Sequence, residues 1–135
     1  MTEVEKITKS EEEWKKILRP EEYHVLREKG TEIPFSGKYD KHFEKGIYHC
    51  RACGAQLFDS NQKYNVGCGW PSFDEALPGA VKFKEDNSLG MHRIEVTCAQ
   101  CGSHLGHVFP DGPKETTGER FCINSISLNF EEKRV

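Results

Sequence analysis

The chain has 135 residues, 30% of them charged, and a formal net charge of −3 with lysines and arginines scattered among acids. A chain of this length builds one core, burying about two thirds of the surface its unfolded form exposes, and reads as a single domain over residues 1–135. The charge balance excludes the basic footprint of a nucleic-acid binder, and no stretch approaches the ~20 apolar residues of a membrane helix, so the expected location is cytoplasmic.

Residues 1–9 contain no apolar run and are expected to form a flexible N-terminus. Ser10 followed by Glu13 has capping-box form, which predicts a short helix through Trp14, Ile17 and Leu18 that ends before Pro20. Pro20 opens a second helix through Tyr23, Leu26 and Arg27, with Gly30 as its stop. Short apolar alternations follow at Ile47 to His49, Val81 to Lys84 and Met91 to Val96, and these read as strands. Asp86-Asn87-Ser88 is a turn joining the last two as an antiparallel hairpin. The predicted fold is mainly β, an antiparallel core with the short helices packed outside.

Six cysteines punctuate this pattern. Cys50-Arg51-Ala52-Cys53-Gly54 and Cys98-Ala99-Gln100-Cys101-Gly102 share one C-x-x-C-G form, each glycine permitting a positive φ after the second sulfur. Two such knuckles, with no βαβ pattern around either, point to one tetrahedral Zn²⁺ rather than a thioredoxin-like redox pair. Four protein sulfurs close the coordination sphere, so the zinc is structural.

The remaining thiols are Cys68 and Cys122. In an extended Arg120-Phe121-Cys122-Ile123-Asn124, the side chains of Arg120, Cys122 and Asn124 share a face. A neighbouring cation favours the nucleophilic thiolate. The plainer alternative is a structural cysteine in a core strand. The apolar period then shifts to Ile126, Leu128 and Phe130, which predicts a bulge or a change of sheet just past the cysteine. Cys68 lies in the glycine-flanked loop Gly67-Cys68-Gly69-Trp70-Pro71, where a thiol is free to move or is merely incidental. A fixed, charge-flanked thiol beside a mobile one suits formation of a sulfenic acid followed by its condensation to a disulfide. Trp70 either packs the loop or walls a small apolar pocket. His104 and His107, three apart between apolar residues, offer a proton donor active near neutral pH.

Taken together, Cys50 to Gly54, Gly67 to Phe73, Cys98 to Gly102, His104 to Pro110, Asp111 to Pro113 and Arg120 to Leu128 resemble the B-type methionine sulfoxide reductase family. The resemblance runs from about Pro20 to Phe130. It implies two antiparallel sheets, zinc on Cys50, Cys53, Cys98 and Cys101, a nucleophile at Cys122 and a resolving thiol at Cys68. It further implies substrate contact by Trp70 and Phe109, and substrate or proton-transfer roles for His104, His107, Arg120 and Asn124. Ile126 stands where that family commonly has a smaller residue. The implied substrate is the R epimer of methionine sulfoxide, in oxidised proteins or peptides or as the free amino acid, with thioredoxin as reductant. The rival from another class is a noncatalytic zinc-bound redox sensor or interaction module, which predicts a Cys68–Cys122 disulfide without sulfoxide turnover.

Overall fold

The Ser10 hydroxyl accepts a hydrogen bond from the Glu13 N–H at 3.2 Å and the Ser10 N–H donates one back to the Glu13 carboxylate, so helix α1 (Glu11–Ile17) starts where its capping box places it. The computed structural model describes residues 10–32, 37–39, 42, 44–64, 69–87, 90 and 93–132. The expected flexible N-terminus, residues 1–9, lies outside them. Helix α2 (Pro20–Leu26) begins at its proline but does not end at Gly30 as expected. Lys29 itself takes the left-handed turn, φ 60°, and the Gly30 N–H closes onto the His24 carbonyl at 2.9 Å. A lysine in that conformation is uncommon.

Nine strands follow among the described residues: β1 (Gly46–Cys50), β2 (Gln56–Asp59), β3 (Lys63–Tyr64), β4 (Ser72–Phe73), β5 (Val81–Asp86), β6 (Arg93–Cys98), β7 (His104–Phe109), β8 (Arg120–Ile123) and β9 (Leu128–Glu132). They form two antiparallel sheets, one ordered β2-β1-β9 and the other β3-β4-β8-β7-β6-β5. The hairpin expected across Asp86 is present, with β5 running on to Asp86 and pairing from Val81 opposite Cys98 to Asp86 opposite Arg93.

The predicted change of sheet after Cys122 is made by a single 3₁₀ turn at Ser125–Ser127, which carries the chain from β8 in the larger sheet to β9 in the smaller. Aromatic side chains then bind sheet to sheet. Phe58 stacks on Phe73 with ring centroids 4.3 Å apart, and Tyr48 meets Phe73 edge-on at 5.2 Å. Leu57, Leu105 and Ile123 close the same core, and Trp14 and Leu26 extend it under the two helices. Each such side chain contributes about 1.5–3 kcal/mol by leaving water. Arg27 lies 5.0 Å over Trp14, which fastens the helices to one another.

Candidate active site and metal centre

The two knuckles fold alike. In each, the glycine N–H returns to the carbonyl of the first cysteine at 2.8 Å, Gly54 to Cys50 and Gly102 to Cys98, with φ of 80° and 78° at the glycines. Because β1 ends at Cys50 and β6 at Cys98, the knuckles bring one sheet's end against the other's. The Cys50 and Cys101 sulfurs lie 3.7 Å apart, those of Cys53 and Cys98 3.6 Å, and all four lie within 4.8 Å of one another. A tetrahedron with Zn–S bonds of about 2.3 Å has edges of about 3.8 Å, so the donor set fits this ion. Its electrostatics ask for a dication. Hydrogen bonding to Cys101 pushes the Cys50 and Cys53 thiols up in pKa, whereas hydrogen bonding from Cys50 holds Cys101 down, so the four cannot ionise together on their own. The Ser103 hydroxyl lies 3.1 Å from the Cys101 sulfur, and Arg27 donates to the Cys101 carbonyl at 3.0 Å, which ties α2 to the knuckle.

Cys122 lies elsewhere, in β8 between β4 and β7 with Ser72 and His107 as its register partners. Directly opposed residues on neighbouring strands place their side chains on one face. Cys122 and His107 therefore stand side by side, and both line a cavity of about 330 Å³. Trp70, Phe109, Arg120, Asn124, Arg93 and Thr31 line it with them. A second cavity, of about 310 Å³, is lined by Glu22, Arg51 and Ser125 among others and by no cysteine among the described residues.

The strands reach this geometry through Gly106. A Cβ there would overlap the Cys122 carbonyl oxygen and sit 2.9 Å from the Ile123 Cα, so only glycine lets β7 lie this close to β8 beside the thiol. On the other side, the Pro71 carbonyl accepts the Ile123 N–H at 3.0 Å, tethering the Trp70 loop to β8. Asn124 completes the wall. Its side-chain carbonyl accepts the Glu32 N–H at 3.0 Å, and the Glu32 carbonyl accepts the Trp70 indole N–H at 3.1 Å. The Asn124 side-chain amide meanwhile donates to the Leu105 carbonyl at 3.1 Å, so the side chain bridges β7 to the segment whose carbonyl accepts the Trp70 indole.

Arg120 departs in part from its expected place. It does share the cavity with Cys122, but its guanidinium grips Asp111 in two hydrogen bonds, of 2.8 and 3.2 Å, and lies 4.5 Å over the Phe109 ring. Its charge is shared with an acid, and that hydrogen bond in turn holds Asp111 below its ordinary pKa. The histidines separate as well. His107 faces the cavity, whereas His104 is only 3% exposed and packs behind it with ring centroids 5.3 Å apart. Burial holds the His104 pKa below its ordinary range, against the opposing effect of its hydrogen bond to the Glu95 carboxylate. Cys68, the expected resolving thiol, lies outside the described residues.

Residues 18–132 match the SelR domain family. The chain belongs to it. It is 61% identical over 93% of its length to a peptide methionine sulfoxide reductase MsrB of Chromohalobacter salexigens, covering 96% of that protein. It is 60% identical over 93% of its length to the protein of the same name in Methanosarcina barkeri, covering 88% of it. A probable methionine-R-sulfoxide reductase B of Caenorhabditis elegans is 54% identical over 90% of this chain and 81% of its own length. The family is therefore one of oxidoreductases, as the six cysteines and their surroundings imply. At the level of fold alone, the Yippee-like domain of Mis18 superposes with a TM-score of 0.55 at 15% identity, over 68% of this chain and all of that one.

The places of Asp86, Glu95, Lys29, Arg93, Thr31 and Gly106 in or behind the cavity are not legible in local sequence. One signal for two of them was present, since Arg93 and Glu95 put two charges on one face of a predicted strand.

Proposed function

We propose that this protein reduces methionine R-sulfoxide to methionine, with Cys122 as nucleophile. The observation that carries this reading is the cavity in which Cys122 and His107 stand as register partners beneath Trp70 and Phe109. The Cys122 thiolate attacks the sulfoxide sulfur while the His107 imidazolium gives its proton to the sulfoxide oxygen. The substrate methyl rests against Trp70, and Phe109 closes the wall on which Arg120 stacks. The substrate sulfur gains two electrons and leaves as methionine; the cysteine sulfur loses two and keeps the oxygen as a sulfenic acid. Condensation with the Cys68 thiol then forms a disulfide and releases water, and thioredoxin exchanges with that disulfide to restore both thiols.

His107 is the proton donor in this reading because it faces the cavity, whereas His104 is buried and that burial disfavours its charged form. Cys50, Cys53, Cys98 and Cys101 hold zinc, which supplies rigidity and, with four sulfurs bound, offers no position for a catalytic water. Residues 1–135 act as one domain. A cavity walled by aromatics favours an enzyme over a noncatalytic redox sensor, which needs only two thiols.

Mutating the two thiols separately tests the assignment. With thioredoxin as sole reductant, Cys122→Ser releases no methionine, while Cys68→Ser releases one equivalent and stops. Multiple turnover by Cys68→Ser would remove it as resolving thiol, and a one-equivalent burst from Cys122→Ser would remove the nucleophile.

A further inference from the structure

Behind the cavity, two buried acids stand against the two histidines. The His107 Nε2 lies 2.7 Å from the Asp86 carboxylate, and the His104 Nδ1 lies 2.8 Å from the Glu95 carboxylate; both acids are 3% exposed. Lys29 joins them, its ammonium 3.6 Å from Asp86 and 3.4 Å from Glu95. Arg93 approaches Asp86 at 3.6 Å from the next strand. The groups come from α2's end, β5, β6 and β7, so four segments converge on one network. Buried acids are uncommon unless paired, and Lys29 occupies a left-handed backbone conformation, φ 60°, at the turn that delivers its ammonium to both.

We infer that Asp86 is a positioning residue for the reaction: it binds the His107 Nε2 proton, directs Nδ1 to the cavity as the proton-donating nitrogen, and Lys29 tempers its charge. This rests on the proposed role of His107. A neutral imidazole carries one proton, and a carboxylate at Nε2 keeps it there, so the second proton is taken up and given away at Nδ1. The same carboxylate stabilises the imidazolium that His107 becomes before it gives a proton away. The groups facing His107 are Asp86 from β5, Glu95 and Arg93 from β6, His104 on its own strand, Cys122 and Arg120 from β8, and Lys29 from the end of α2. Asp86 alone among these acids is hydrogen-bonded to the ring.

Two substitutions of opposite sign distinguish this role from mere packing. Asp86→Asn removes the negative charge and leaves a hydrogen-bonding group of equal size; the His107 titration midpoint, followed by NMR of the ring protons, is expected to fall by about one unit. The alkaline limb of the kcat profile should move down with it, with KM little changed. Lys29→Asn, which suits the left-handed turn, removes the cation and should raise the same midpoint. Asp86→Glu should recover part of the wild-type value. If Asp86→Asn unfolds the protein, the Lys29→Asn shift still decides the matter. An unchanged His107 midpoint in the folded variants, or shifts of the same sign, would overturn the inference. The NMR midpoints do not depend on turnover, so failure of the wild type to reduce sulfoxide would count against the proposed function and not against the Asp86 contact.

Discussion

Replacing Gly106 with alanine should damage the site through the backbone alone. The new Cβ would overlap the Cys122 carbonyl oxygen and stand 3.0 Å from its carbon and 2.9 Å from the Ile123 Cα, where ordinary contacts lie at 3.4–4 Å. These are main-chain atoms of a paired strand, so no side chain can swing aside. Relief requires β7 and β8 to part by about 1–1.5 Å, since repulsion rises steeply below contact distance. Overpacking of this kind costs about 1–3 kcal/mol, which for a chain of this size lowers the melting temperature by about 3–15 °C. The displacement falls between His107 and Cys122, and a misplacement near 1 Å costs about 10²-fold in rate. The assay is kcat/KM on methionine R-sulfoxide with dithiothreitol, together with thermal melting and zinc content. A hundredfold loss with zinc retained is expected. Wild-type efficiency and an unchanged melting temperature would show that the strands do not need glycine there, and the close approach of β7 to β8 would lose its functional meaning.

Other perturbations address the metal, the wall and the buried histidine. Cys98→Ser, or a strong chelator, should release zinc and unfold the domain, since structural zinc contributes ~10–16 kcal/mol of apparent binding free energy; an unchanged melting temperature with full zinc content would contradict the structural role. Trp70→Ala should lower kcat/KM by about tenfold or more while zinc and fold persist, and equal efficiency would take Trp70 out of the substrate site. Burial lowers the His104 pKa in the folded protein, so the unfolded chain takes up that proton first. The stability His104 contributes as a neutral group is thus whole above about pH 6.5 and is lost as pH falls through the lower folded value. Urea midpoints measured with excess zinc between pH 7.5 and 5.5 should fall less in a folded His104→Asn variant than in the wild type; identical slopes would refute the assignment.

What the sequence revealed, it revealed through local spacing. The metal knuckles and the capping box of α1 are each complete within five residues, so chain order alone exposes them. The switch of sheets after Cys122 was visible because apolar period 2 breaks across Ile123 and Ile126, and a 3₁₀ turn makes that break. Other features depend on contacts between distant segments. Asp86 meets His107 across 21 residues, and Lys29 meets Glu95 only because α2 ends against the sheet. Gly106 reads as an ordinary strand glycine until β8 is laid beside it. The stop of α2 was misplaced for a related reason: Gly30 carries the stronger intrinsic preference for the left-handed turn, but the ion pairs of Lys29 with Asp86 and Glu95 favour it one residue earlier. Arg120 was expected to serve Cys122, and its pairing with Asp111 across the intervening loop was not visible in strand alternation.

Cys122 in this cavity is proposed to take oxygen from one epimer of methionine sulfoxide. This is tested most directly by mixing the zinc-loaded, reduced protein with each epimer separately, without any reductant, and quantifying methionine and the mass of the Cys122 peptide. The expected result is about one equivalent of methionine from the R epimer, with Cys122 recovered as sulfenic acid or disulfide, and none from the S epimer. Methionine release from the R epimer that leaves Cys122 unmodified, or no release at all, would contradict it.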